Sequence, residues 1–190
     1  MAGLAGLIRR CWGISDDAIP ENDKIVVVPL GYTLDNSGAL PDASQKTARM
    51  AAAIAKAIPE SEIFFVPANV LGPEALKTEI RLRLRILQAE GVSRSRISFL
   101  RVGISSTFGE AWEVLSYVLG TIRMHYGGHV NVMVIADWPH TRRAKKIFEL
   151  IFERAMNVEV LARSVEGEWD GNHPAVKSSR SWLIGNILHY

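Results

Sequence analysis

Short β-branched or aromatic runs recur along the chain, each followed by a polar break and then by a longer stretch with helical spacing. The runs are Ile25–Val28, closed by Pro29-Leu30-Gly31; Ile63–Val66, closed by Pro67; Ile97–Leu100; Val130–Ala136; and Val158–Leu161. Runs this short, apolar at consecutive positions, read as strands buried on both faces of a parallel sheet. After the first run, Tyr32–Ser44 reads as loop with a turn at Asn36-Ser37-Gly38. Ser44 is placed to cap a helix reaching about Ile58, with Ala48, Ala51, Ala52, Ala55 and Ile58 on its packed side. Glu74–Glu90 has helix-forming composition between Pro73 and Gly91, and Leu76, Ile80, Leu84 and Leu87 make one face. Thr107, with Glu110 three residues on, forms a capping box opening a helix to about Tyr126. The helix after Pro139 extends to about Ala155, and Ala175–Leu188 predicts a terminal helix carrying Trp182, Leu183 and Ile187. Strand and helix alternate with short connections. The pattern predicts a Rossmann-like three-layer α/β/α sandwich around a mostly parallel sheet of about five strands. Residues 24–190 form one domain in this reading, after an N-terminal extension over 1–23 that is expected to be helical. Strand order is not legible.

Composition narrows the function classes. A chain of 190 residues that is 48% hydrophobic and 22% charged suffices for one core. A net charge of +2, with no basic run interleaved with aromatics, gives no case for a nucleic-acid partner. The single cysteine, Cys11, leaves no internal disulfide and no cysteine-based zinc site. His125, His129, His140, His173 and His189 lack ligand spacing, so no metal is predicted. No stretch reaches membrane-spanning length without a charge, so the chain is expected to be soluble and cytoplasmic.

The candidate chemistry gathers where the fourth run stops at Asp137-Trp138-Pro139-His140, followed by Arg142, Arg143, Lys145 and Lys146. Ligand crevices of open α/β sheets lie outside the carboxyl ends of the strands. Cations in a first helical turn oppose the macrodipole by a few tenths of a kcal/mol each, and an anionic ligand on the free N–H groups offsets that cost. Lys145 and Lys146 read as a solvated face, whereas His140 and Arg143 share a helix face and carry the functional reading. Asp137 and His140 suit an acid/base pair. No G-x-S-x-G elbow exists, so a hydrolytic triad requires Ser105 or Ser106 beside His140. The absence of a full G-x-G-x-x-G or P-loop disfavours NAD and ATP hydrolysis.

The strand-end loops bring Gly31, Asn69, Ser105, Thr107, Asp137 and His140 toward one rim. Gly31 is either a turn glycine or a point of close backbone approach to a ligand. Arg49 either snorkels from its alanine-rich helix or reaches a carboxylate or phosphate. Glu79, among arginines, forms a surface pair or holds Arg49 or Arg143 for an anion. Thr107 and Glu110 are accounted for as a cap, although a cap also presents N–H groups to a ligand.

Val27–Gly31 with Gly38, Leu40, Pro41 and Arg49, Glu79 before Gly91-Val92, Ser105-Ser106-Thr107 with Glu110, and Ala136–Ala144 occur in a familiar order and spacing. Together, from about Lys24 to the C-terminus, they resemble the bacterial domain-of-unknown-function family that includes YdcF, SanA and ElyC. Gly31 stands alone where relatives often carry several glycines, Pro67-Ala68-Asn69 replaces a second glycine set, and Arg101-Val102 stands where a glutamate is common. The resemblance implies a Rossmann-like fold and an anionic, nucleotide-like ligand such as S-adenosylmethionine, with some relatives tied to cell-envelope metabolism. Taken with the rim residues, the reading places ligand binding at Gly31, Arg49, Glu79, Ser105, Thr107, Glu110 and Arg143, and proton handling at His140 and Asp137. The alternative is a non-catalytic envelope-associated or regulatory module with a vestigial pocket.

Overall fold

A computed structural model describes residues 17–19, 24–67, 71–100, 106–122, 129–153, 155 and 157–166. Strands β1 (Lys24–Pro29), β2 (Glu62–Phe65), β3 (Ile97–Phe99), β4 (Val130–Asp137) and β5 (Val158–Val165) pair in parallel in the order β3-β2-β1-β4-β5. The helices are α1 (Asp42–Ala57), α2 (Pro73–Ala89), α3 (Thr107–Tyr117, continued by a π turn over Val118–Ile122) and α4 (Trp138–Phe152). This is the Rossmann-like α/β arrangement that the alternation predicts.

The period of two along each strand divides the core into two layers. Val26, Val28, Val132, Val134 and Phe64 share one cluster with Ala111 and Val114 of α3 and Ala144 and Phe148 of α4. Ile25, Val27, Met133 and Ile135 share the other with Ala48, Ala51, Ala52 and Ala55 of α1. Each buried valine or isoleucine contributes roughly 1.5–3 kcal/mol, and the alanine face lets α1 approach the sheet closely.

From β1 the chain proceeds outward through β2 to β3, then returns to place β4 on the other flank of β1. That reversal sets a topological switch point at the carboxyl ends of β1 and β4, the position where such sheets commonly bind ligands.

Several local expectations shift. Helix α1 starts at Asp42 behind Pro41, and Ser44 is no cap. Its buried hydroxyl accepts from Tyr32 N at 2.8 Å and donates to Tyr32 O at 2.8 Å, fastening α1 to the segment leaving β1. On α2 the fully buried positions are Glu79, Arg83 and Leu87, while Leu76, Ile80 and Leu84 are only partly covered. Strand β5 runs four residues past Leu161, because Ala162–Val165 continue the register against Val134–Asp137. Asp17 closes its outer edge: Asp17 N donates to Ala162 O at 3.1 Å, and the carboxylate accepts from Ala162 N at 2.9 Å. Pairing therefore overrides the polar character of Arg163 and Ser164. Apart from 17–19, the N-terminal extension lies outside the described residues, as does the expected terminal helix over 175–188. Among the described residues no helix is long and apolar enough to cross a membrane.

Candidate functional site

Asp137 ends β4 and His140 lies in the first turn of α4. Thr141 fixes the handover by donating to Ala136 O at 3.0 Å and Asp137 O at 2.9 Å. From the segment leaving β1, the Tyr32 hydroxyl reaches both Asp137 carboxyl oxygens, at 3.3 and 3.2 Å. His140 Nδ1 faces Asp137 Oδ1 at 3.8 Å, and its Nε2 meets Thr107 Oγ1 at 3.0 Å. Asp137 and His140 thus lie side by side, with Tyr32 hydrogen-bonded to the carboxyl and Thr107 to the imidazole, a chain Tyr32–Asp137–His140–Thr107 whose central contact is longer than a hydrogen bond. Asp137 and His140 are 3% and 8% exposed, so the chain is sheltered from solvent up to Thr107.

Thr107 reaches His140 because the cap of α3 falls one residue earlier than expected. Ser106 is the N-cap, and its Oγ accepts from Gly109 N at 3.1 Å. Glu110, whose backbone N donates to Ser106 O, stands one position beyond the capping-box site. The expected Thr107–Glu110 box is therefore absent; Thr107 meets His140, and Glu110 is buried where the charges of Arg83, Glu79 and Arg143 act on its carboxyl. Ser105 lies outside the described residues.

Burial dominates the electrostatics. It raises Asp137 to about 7, against the opposing hydrogen bond from Tyr32 and the charge of Arg143. It raises Glu110 to about 8, with Arg83 and Arg143 favouring the carboxylate and Glu79 opposing it. It lowers His140 to about 3, helped by the Arg143 charge. At neutral pH the imidazole is therefore uncharged. When Asp137 is ionised it is acceptor-only, which favours the tautomer with the proton on Nδ1 and Nε2 accepting from the Thr107 hydroxyl.

A second polar cluster sits beside this one. Glu79 Oε1 accepts from Arg83 Nε at 3.0 Å, with side chains 1% and 3% exposed. Glu79 is thus neither a surface residue nor a partner of Arg49 or Arg143. Burial raises its pKa, and the Arg83 charge opposes that shift. Arg83 also donates weakly to Tyr32 O at 3.4 Å and lies 5.2 Å from the Phe65 ring centre. A Cβ on Gly31 would stand 2.6 Å from Arg83 Nη2 and 2.7 Å from Ser44 Oγ. The close approach at Gly31 is therefore to the protein's own side chains. Arg49 is exposed on α1, where it contacts Gln45 Oε1 at 3.4 Å, and lies apart from both clusters.

Thr107 opens onto a cleft of about 600 Å³ between α3 and α4, lined by Ser106, Thr107, Phe108, Arg143, Lys146, Ile147 and Leu150. The α4 contribution follows i, i+3, i+4, i+7 from Arg143 and forms a stripe separate from the core stripe Ala144, Phe148, Phe152. Lys146, read as part of a solvated face, is exposed and also lines the cleft, whereas sequence reading missed Tyr32, Arg83 and the capping role of Ser106. The α4 stripe was the available signal for Lys146; the others depend on which elements become neighbours. Among the described residues no group of three or more histidine, cysteine or carboxylate side chains could hold a metal.

No family model matches the sequence, and no curated protein does. Among solved structures the chain is similar to the HAD domain of the effector protein Lem4 from Legionella pneumophila, with 10% identity and a TM-score of 0.40, covering 88% of this chain and 94% of that one.

Proposed function

We propose that this chain binds an anionic small molecule in the cleft between α3 and α4, beside the carboxyl ends of β1 and β4. The observation that carries the reading is a sheltered, uncharged His140 joined to Thr107, on a cleft wall that also presents Arg143 and Lys146. Arg143 and Lys146 attract the anion, Phe108, Ile147 and Leu150 take an apolar portion, and His140 with Asp137 handles a proton. The order of the sequence motifs supports grouping the chain with YdcF-like proteins. S-adenosylmethionine fits this wall less well than a nucleotide or a lipid-like phosphate. It brings a sulfonium and an ammonium group toward two cations, and the described lining contains no carboxylate.

A thermal-shift screen tests the reading with S-adenosylmethionine, S-adenosylhomocysteine, nucleotides, nucleotide sugars and polyprenyl-phosphate analogues. A ligand at about 100 times its dissociation constant adds roughly 2.7 kcal/mol. Stabilisation of the wild type that His140→Ala/Arg143→Ala loses supports the site. No stabilisation by any compound, with both proteins folded, favours the non-catalytic module.

A further inference from the structure

The arrangement around Thr107 goes beyond binding. Building on the anion-binding reading of the same cleft, we propose that Thr107 Oγ1 is the nucleophile of an acyl-transfer site, with His140 as its base and Asp137 orienting the imidazole. Its substrates are carboxylic esters that carry an anionic group and an apolar chain.

The parts are in place. A nucleophile of this type needs a base within about 2.6–3.2 Å and a third group that orients the base. Thr107 Oγ1 lies 3.0 Å from Nε2, and Asp137 Oδ1 lies 3.8 Å from Nδ1, longer than a hydrogen bond but close enough to act on the ring by its charge. Tyr32 holds the carboxylate from the other side. Thr107 is the member of the chain that lines the cleft, and Arg143 on the same wall supplies positive charge for a developing oxyanion. A cap at Thr107 would have tied up this hydroxyl; Ser106 takes that role and frees it.

The reaction balances without a further reagent. Thr107 Oγ1 attacks the ester carbonyl carbon as its proton passes to His140 Nε2. The tetrahedral adduct collapses, the C–O bond to the alcohol breaks, and the imidazolium returns the proton to the departing alcohol. Water then attacks the acyl-threonine, giving a proton to Nε2; the carboxylic acid leaves, and Thr107 Oγ1 recovers that proton. The step needs Asp137 ionised to support the transient imidazolium. The groups acting on Asp137 and His140 are Tyr32 after β1, Arg143 on α4 and Thr107 on α3, with Glu110 of α3 and Arg83 and Glu79 of α2 in the same electrostatic neighbourhood. Ester hydrolysis is accordingly expected to rise with pH through about 7, the value to which Asp137 is raised.

The test is incubation of the full chain with a fluorophosphonate and with p-nitrophenyl butyrate, followed by intact mass and peptide mapping. Expected is one phosphonyl adduct on Thr107, kept in Thr107→Ser and lost in Thr107→Val and His140→Ala. p-Nitrophenol release should drop about 100-fold or more in the latter two. Thr107→Val is nearly isosteric, so its melting curve verifies that the loss is chemical. No adduct, an adduct elsewhere, or labelling that survives His140→Ala overturns the proposal. Dodecyl phosphate, run in parallel by thermal shift, separates the two readings. Stabilisation lost in Arg143→Ala without any Thr107 adduct overturns the nucleophile and leaves the binding site standing; neither stabilisation nor adduct overturns both.

Discussion

Two buried polar clusters lie at the carboxyl end of this sheet, and they differ in what they face. Glu79 and Arg83 pair on α2, one helical turn apart, with Gly31 and Ser44 packed against the guanidinium. Asp137 and His140 join β4 to α4, and their chain continues through Thr107 into a cleft. Both withdraw ionisable groups from water at considerable cost. The first offsets part of that cost by a local ion pair, leaving Glu79 Oε2 and Arg83 Nη1 buried without a hydrogen-bond partner among the described residues, and neither residue lines the cleft. The second leaves its imidazole uncharged and raises its carboxyl to about 7, so that burial weakens the charged form of both groups. The Glu79–Arg83 pair stays within the core, whereas the second cluster meets a cleft at Thr107.

The largest expected effect comes from breaking the closed pair. Arg83→Leu strands a buried Glu79 and should cost about 3 kcal/mol or more in urea unfolding. Glu79→Leu/Arg83→Leu should recover most of that loss, since neither charge then remains. Next in size, Gly31→Ala sets a methyl into Arg83 Nη2 and into a Ser44 pinned by two hydrogen bonds. About 1–3 kcal/mol of destabilisation is expected, read by the same unfolding curves.

The open cluster should instead show itself through pH. Asp137 and Glu110 have folded pKa values raised to about 7 and about 8, so the folded state binds more protons than the unfolded one from about pH 4 up to those values. Their contribution is present at low pH and is lost as pH rises. His140 acts in the opposite sense, gaining stability as pH climbs from about 3 to its ordinary value of 6.5. Between pH 6.5 and 8 only the carboxylates remain, and the unfolding free energy should fall by up to about 1.4 kcal/mol per pH unit for each proton released, read as a falling melting temperature. Glu110→Gln should flatten the segment between pH 7 and 8; an unchanged slope would contradict the assignment. The smallest effect is Ser106→Ala, which removes the α3 cap for about 1 kcal/mol in thermal unfolding. Moving Thr107 relative to His140 should then alter ligand response more than stability.

Much of this was legible in the residues. The consecutive valines of β1 and β4 announce strands buried on both faces, and Asp137-x-x-His140 marks the end of β4, because those signals are local. What escaped depends on neighbours. Whether Ser106 or Thr107 caps α3 is a one-residue choice between two good capping residues, and it decides which hydroxyl meets His140. The inward stripe of α2 was hidden because Leu76, Ile80 and Leu84 offered an apolar face, whereas the fold buries Glu79 and Arg83 against β1's exit. Tyr32 carries no motif of its own. Its role depends on strand order, which sets β1 next to β4.

The central claim is that His140 is a sheltered, uncharged imidazole accepting a hydrogen bond from Thr107. Titrating the histidine ring nitrogens by 15N NMR from pH 4 to 8.5 measures it directly, with Thr107→Val as the control. The account predicts that His140 stays neutral throughout. Above pH 7 its proton should reside on Nδ1, and its Nε2 shift should change when the Thr107 hydroxyl is removed. A His140 that protonates near 6.5, or whose Nε2 is indifferent to Thr107→Val, would contradict the account.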